Sequence, residues 1–145
     1  MFSYCRILRL DISSFNTEQV TNMTHMFYMD NFLQTIDISN FKTSNVIDFS
    51  FMFCGCDNLY GLDGTKFNVE KAKYLNSMFE GCASLRNLNT TYFVTSNAED
   101  ISAMFKDVSY ITSLDVSKFE TSLVKNTTYR NSLDRSTKST TSHVS

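Results

Sequence analysis

Aspartate side chains recur in this sequence at intervals of 26 residues, a pattern that could place oxygen ligands side by side. The positions are Asp11, Asp37, Asp63, Asn89 and Asp115. Carboxylates stacked on one face of a sheet could bind Ca²⁺, which prefers roughly six to eight oxygen ligands. In the alternative interpretation, each side chain caps backbone N–H groups of the turn that follows it. Asn89 keeps the accepting oxygen but lacks the charge that a cation needs, so the sequence favours capping and predicts no metal site.

Cysteines offer a second candidate ligand set. One position of the same spacing is shared by Cys5, Cys56 and Cys82, and Cys54 lies two residues before Cys56. Thiolates could bind a metal ion, but free cysteine is more often a small buried hydrophobic residue. The sequence therefore favours core packing, and an occasional disulfide between Cys56 and Cys82 in neighbouring copies stays open.

The chain contains few residues of the types that catalytic sites use. The only histidines are His25 and His143, and no recognisable dyad or triad accompanies them. Four glycines cannot supply a glycine-rich phosphate loop, and a net charge of −2 does not suit a nucleic-acid surface. The sequence predicts a protein that is not an enzyme, needs no cofactor and does not bind nucleic acid.

The same spacing governs the apolar residues, so the chain is built from repeats of 26 residues. One column, meaning one set of positions 26 residues apart, contains Leu10, Ile36, Leu62, Leu88 and Leu114. A second contains Phe15, Phe41, Phe67, Phe93 and Phe119. A third contains the pairs Met26-Phe27, Met52-Phe53, Met78-Phe79 and Met104-Phe105. A single repeat cannot bury its apolar faces alone, so the repeats are expected to stack.

Each repeat is predicted to contain a short strand followed by a short helix. Ile36-Asp37-Ile38 alternate with the strand period of two. The positions that fall on one helical face are Val46, Phe49, Met52 and Phe53. Thr-Ser-Asn at residues 43–45 is placed to cap the first helical turn. The predicted fold class is α/β: a leucine-rich-repeat-like solenoid with parallel strands on the inner face and short helices on the outer face. Such a stack should curve, because helices need about 10 Å of width and strands about 4.8 Å.

The predicted domain organisation is a repeat solenoid over residues 1–124 and a tail. The solenoid contains a partial repeat 1–9, full repeats 10–35, 36–61, 62–87 and 88–113, and a partial repeat 114–124. Residues 125–145 are rich in Ser and Thr and are predicted to be a disordered tail. No apolar run approaches the roughly 20 residues of a membrane span, and neither a signal peptide nor an anchor is visible. We expect a fragment, or a truncated relative, of a longer repeat protein.

Several interlocking motifs resemble the BspA-like leucine-rich repeat, the 26-residue repeat of bacterial surface lipoproteins. They are Leu-x-x-Leu-x-Leu, the Phe four residues beyond its inner Asp, Thr-Ser-Asn-Val at 43–46 and Met-Phe-x-Gly-Cys at 52–56 and 78–82. The best single copy is 36–61, and the resemblance covers residues 1 to 124. It departs from ordinary leucine-rich repeats in placing a Phe column where an Asn ladder usually lies. The resemblance implies a cell-surface or secreted protein that acts in adhesion and has no catalytic residues.

Positions between the columns remain for binding. The candidate partner-binding residues are Thr35, Tyr60, Asn87, Tyr92 and Tyr110. Tyrosine beside small polar residues is typical of recognition surfaces, although an ordinary solvated face has the same composition. The predicted function is a non-catalytic surface interaction or adhesion module that binds protein or glycan partners. The alternative is a structural stalk or spacer of a longer surface protein, with no ligand of its own.

Overall fold

Successive repeats lie one on the next and are joined by parallel backbone pairing. The computed structural model describes residues 2–112 and 114–125. Strand β1, Arg9–Leu10, pairs in parallel with strand β2, Thr35–Ile36. Single bridges extend this ladder from Thr35 to Gly61 and from Gly61 to Asn87. The 26-residue spacing thus places equivalent residues side by side in neighbouring repeats.

A second line of parallel bridges joins Asn22 to Asp48, Asp48 to Tyr74 and Tyr74 to Asp100. The one helical element among the described residues is a short 3-10 helix, Gly64–Lys66. No helix in this part of the chain has the length and apolar character needed to cross a membrane. Ser113 and all but the first residue of the predicted tail lie outside the described residues.

The predicted outer helices, and with them the α/β solenoid fold class, are wrong for the described residues, which contain no α-helix. The segment 46–56 is instead a run of tight turns. Met52 N–H donates to Phe49 O, three residues back, at 3.1 Å, whereas the N–H of Phe53 leaves the repeat and donates to Met78 O at 2.9 Å. An α-helix would direct both groups to the carbonyl four residues back. Without helices, the physical reason for the predicted curvature is also lost.

Left-handed backbone at two positions in each repeat is incompatible with these helices. In the first column φ is 56° at His25, 58° at Phe51, 55° at Ser77 and 54° at Ala103. Four residues further on, φ is 56° at Met29, 74° at Gly55, 72° at Gly81 and 60° at Asp107. A residue with positive φ has a left-handed backbone conformation, which interrupts a right-handed helix. The glycines interpreted as helix caps therefore belong to the turns.

Asp107→Gly should raise the free energy of unfolding by about 1 kcal/mol, because glycine adopts positive φ without the Cβ clash. Asp107 is exposed, and the equivalent positions already carry Gly55 and Gly81. Urea unfolding measures the difference. Asp57→Gly is the matched control: Asp57 is exposed but has no positive φ, so glycine there should lower stability by about 0.5–1 kcal/mol. A loss of stability in both variants would contradict the assigned strain.

The core consists of side-chain columns that run the length of the stack. The rings of Phe27, Phe53, Phe79 and Phe105 stack at centroid distances of 5.1, 5.8 and 5.7 Å, and all four side chains are buried. These distances lie close to the ~4.8 Å spacing of paired strands. Turns allow this side of the stack to keep strand spacing, which helices could not.

Buried threonines join the repeats at one corner. Thr43 Oγ1 donates to Asn68 O at 3.1 Å and accepts from Asn68 N–H at 2.8 Å. Thr17 makes the same pair of bonds with Lys42, and Thr95 makes it with Glu120. The prediction that Thr43 starts a helix is therefore wrong, because its hydroxyl binds the backbone of the next repeat.

Candidate functional site

The aspartate column caps turns. In each copy the side-chain Oδ1 accepts from the N–H two residues ahead, at 2.9 Å in Asp11, 2.8 Å in Asp37, 3.0 Å in Asp63, 3.0 Å in Asn89 and 2.9 Å in Asp115. Hydrogen bonds from the hydroxyl and the N–H of Ser13 lower the pKa of Asp11 below its usual value. Within 2–112 and 114–125, no three His, Cys, Asp or Glu side chains are grouped to hold a metal ion.

Cys56 and Cys82 are fully buried and serve as hydrogen-bond donors within the core. The thiol of Cys56 donates to Phe27 O at 3.0 Å, and that of Cys82 donates to Phe53 O at 3.2 Å. Burial raises the pKa of Cys56 to about 12 and that of Cys82 well above its usual value. Both thiols are free, and neutral thiols are poor metal ligands and poor nucleophiles. Each sulfur partners a carbonyl of the preceding repeat.

The other two cysteines lie nearer the surface. Cys5 is exposed and Cys54 is half-buried, and both are free. Burial, together with the negative charge of Glu80, raises the pKa of Cys54 to about 11. The raised pKa keeps the Cys54 thiol protonated near neutral pH, and only the thiolate is reactive.

An aromatic cluster surrounds His25, and the sequence interpretation missed it. The imidazole stacks on Phe51 with ring centroids 4.8 Å apart and meets the edge of Tyr28 at 4.8 Å. Tyr4 packs edge-on against Tyr28 at 5.7 Å and leaves 64% of its own surface exposed. His25 and Phe51 share one column, a signal that the helix prediction obscured. His143 lies outside the described residues.

Two of the five candidate binding residues, Thr35 and Asn87, belong to one ladder, and a third, Tyr60, is next to it in the chain. Thr35 pairs with Gly61, and Gly61 pairs with Asn87. Tyr60 precedes Gly61, its N–H donates to Gln34 O at 3.0 Å, and 47% of its surface is exposed. The structure thus places Thr35 and Asn87 on either side of Gly61 in one ladder, and Tyr60 is the residue before Gly61.

Asn87 also lines an open depression, here called the polar cleft, which has a volume of about 300 Å³. Its lining consists of Asn87, Leu88, Asn89, Thr90, Thr91 and Asp115. Tyr92 follows directly and is 63% exposed. Tyr110 is 62% exposed but does not line the cleft, and no ring contact or hydrogen bond joins it to the other four candidates in the described residues. Tyr110 thus lies outside the cleft lining, as Tyr60 and Tyr92 also do.

Residues 1–114 and 61–140 match the family described as "Mycoplasma protein of unknown function, DUF285". The chain belongs to this family. No curated protein and no solved structure matches it. The family description assigns no activity, so the functional argument rests on the surface itself.

The polar cleft of this DUF285 chain offers hydrogen-bonding groups, and the Asp115 carboxyl in its lining already accepts from Ser117 N–H at 2.9 Å. Thr90 is buried and its hydroxyl is already used, because it donates to Asp115 O. The side-chain amide of Asn87 and the hydroxyl of Thr91 bond to no other described residue, and both residues are exposed. An amide and a hydroxyl beside Tyr92 can bind the hydroxyl groups of a sugar or the backbone of a peptide.

Proposed function

We propose that this chain is a non-catalytic surface interaction or adhesion module that binds a protein or glycan partner through the polar cleft and the exposed side chains of Tyr60 and Tyr92. The observation that supports it is that the exposed Asn87 and Thr91 in the cleft carry side-chain groups with no partner among the described residues, and that the exposed Tyr92 follows Thr91 in the chain. Rigid aromatic side chains give large contact areas at low entropic cost, and amides and hydroxyls add specificity.

The proposal includes a location at the cell surface or outside the cell. Its support is the resemblance of the repeat to the BspA-like leucine-rich repeat of bacterial surface lipoproteins. Catalysis, a bound cofactor and nucleic-acid binding have no part in the proposal. The carboxyl of Asp115 in the cleft lining caps a turn by accepting from Ser117 N–H, and a net charge of −2 does not suit a nucleic-acid surface.

A structural spacer is the second candidate, and it has an observation of its own. The ring stack from Phe27 to Phe105 and two lines of parallel bridges run continuously through the described repeats. Such one-dimensional packing gives a stiff body, which suits a stalk that holds another domain away from a surface.

Tyr92→Ala should weaken ligand binding at least tenfold while leaving the melting temperature unchanged, because the side chain is 63% exposed and supports no core contact. The labelled chain is applied to a glycan array and to an array of purified extracellular proteins, and Tyr60→Ala is tested in parallel. Tyr74→Ala is the matched control: Tyr74 is 39% exposed but belongs to the other line of bridges.

Equal losses in the Tyr74 and Tyr92 variants would show that the polar cleft is not the binding surface. An unaltered chain that binds no member of either array would favour the spacer.

A further inference from the structure

The junction between the third repeat, 62–87, and the fourth, 88–113, lacks a bond that other junctions have. One column places a buried threonine whose hydroxyl both donates to and accepts from the backbone of the next repeat. The bridged pairs are Thr17 with Lys42, Thr43 with Asn68, and Thr95 with Glu120. The third repeat carries Val69 in this column, fully buried and without a hydroxyl. The backbone of Val94, the counterpart of Asn68, is therefore not tied to the third repeat through this column.

Val94 instead bonds within its own repeat. Its N–H donates to Tyr92 O, two residues back, at 2.9 Å, which closes a three-residue γ-turn. Phe93 at the centre of this turn stays fully buried, whereas Tyr92 is 63% exposed. Tyr92 follows Thr91, which lines the polar cleft. Valine at position 69 thus leaves the backbone available for the turn that presents Tyr92.

A second replacement in the third repeat shapes one wall of the polar cleft. Ile12 and Ile38 fill one core column in the first two repeats, and Gly64 takes this place in the third. A Cβ atom at Gly64 would lie 2.3 Å from Asn89 O, closer than a side chain can approach a backbone carbonyl. Only glycine therefore allows the Asn89 backbone to lie this close to the third repeat. Asn89 lines the polar cleft, so Gly64 determines where this wall lies.

Thr90 follows Gly64 in the same column and replaces an apolar side chain with a polar one. Its buried hydroxyl donates to Asp115 O in the next repeat, and Asp115 also lines the cleft. The replacements at 64 and 90 therefore act on two residues of the cleft lining. The replacement at 69 acts on Tyr92, the residue after Thr91.

We propose that Gly64 and Val69 are positioning residues of the polar cleft. Gly64 sets the position of the wall at Asn89, and Val69 permits the turn that presents Tyr92. Both are buried, so they act on a ligand only through the residues that they position. The inference rests on the proposed function, and it places determinants of ligand specificity in the core of the third repeat.

Val69→Thr restores the hydroxyl of the column and tests the role of Val69. The new hydroxyl should bond to the Val94 backbone, so hydrogen exchange at the Val94 amide should slow and the melting temperature should not fall. Because Tyr92 is then held differently, binding should weaken by about tenfold or more. The probe is the glycan or purified extracellular protein that the unaltered chain binds best on the two arrays. A merely structural role of Val69 would not combine weaker binding with undiminished stability.

Thr43→Val is the matched control, because it removes the same hydroxyl at the junction between the second and third repeats. It should lower the melting temperature and leave binding of the probe unchanged. Binding is measured below the melting temperature of each variant.

Gly64→Ala tests the other positioning residue. The added Cβ must displace Asn89 O, since the two atoms cannot lie 2.3 Å apart. Amide chemical shifts of Asn89 and Thr91 should change, and binding of the probe should again weaken by about tenfold or more.

Unaltered exchange at the Val94 amide, or slower exchange with undiminished binding, would overturn the role of Val69. Changed shifts at Asn89 with undiminished binding would overturn the role of Gly64. In each of these cases the proposed function stands, because the unaltered chain still binds its probe. A wild-type chain that binds no member of either array would overturn the proposed function and this inference with it.

Discussion

Phe79→Ala should lower the free energy of unfolding by about 3–5 kcal/mol, the largest loss expected from a single change considered for this chain. The Phe79 side chain is fully buried, and its ring lies between Phe53 at 5.8 Å and Phe105 at 5.7 Å. The flanking layers cannot close around the cavity, because Phe53 N–H and Phe79 N–H hold them at fixed spacing through bonds to Met78 O and Met104 O. Limited collapse places the cost near the upper end of the range.

Urea unfolding of Phe79→Ala and Phe32→Ala provides the comparison. Phe32 is 39% exposed, and its ring contacts the guanidinium of Arg6 at 4.5 Å, so its loss should cost about 1 kcal/mol or less. The denaturant slope should stay the same in both variants, since both unfold from the same stack. Equal losses would show that the ring column does not carry the stability assigned to it.

The buried positions were predictable from the sequence because apolar residues recur at the same positions of each repeat. The columns that begin with Leu10 and Phe15 contain the buried Leu62, Phe67 and Phe93 in the middle of the stack. The first members, Leu10 and Phe15, are partly buried and pack against this core. A single sequence with five copies of one pattern thus identifies its core without an alignment.

The local structure could not be predicted in the same way, because the apolar spacing of 46–53 fits both a helix and a run of turns. The deciding feature is the left-handed backbone at Phe51, a residue type with no preference for it. The other left-handed column can be recognised in the sequence by Gly55 and Gly81. These glycines, however, would also fit the end of a helix. Pairing of Phe51 N–H with Asn76 O in the next repeat supports the conformation, so the information is tertiary.

For the candidate site, the sequence indicates which positions are equivalent between repeats but not the shape of the surface. Thr35 and Asn87 follow the repeat register, which is visible in the sequence, and they lie on one ladder through Gly61. The polar cleft depends on turn geometry around Asn89 and Asp115, which the register alone does not define. The aromatic cluster of His25 and Tyr28 is likewise created by the turns, because a helix would have placed those side chains differently.

The bridging threonines also depend on contacts between repeats, because the Thr43 hydroxyl bonds to the backbone of the next repeat. The substitution Thr43→Val tests this contact. This substitution should lower the free energy of unfolding by about 1–3 kcal/mol, because valine keeps the shape of the side chain but leaves Asn68 N–H and Asn68 O without their partner. Thr43 is 2% exposed and makes both bonds, at 2.8 and 3.1 Å, through one hydroxyl. Hydrogen exchange at the Asn68 amide should accelerate in this variant.

Valine is tolerated naturally at the equivalent position of the third repeat, where the following layer is built differently. Val69 is fully buried there, and Val94 N–H donates to Tyr92 O, inside its own repeat, at 2.9 Å. The backbone of Asn68 has no such internal acceptor, so valine at position 43 should be costly. Thr43→Ser is the control, because it keeps the hydroxyl and loses one buried methyl group, at about 0.8 kcal/mol. A serine variant that is less stable than the valine variant, or an unchanged exchange rate at Asn68, would show that packing rather than hydrogen bonding maintains this corner.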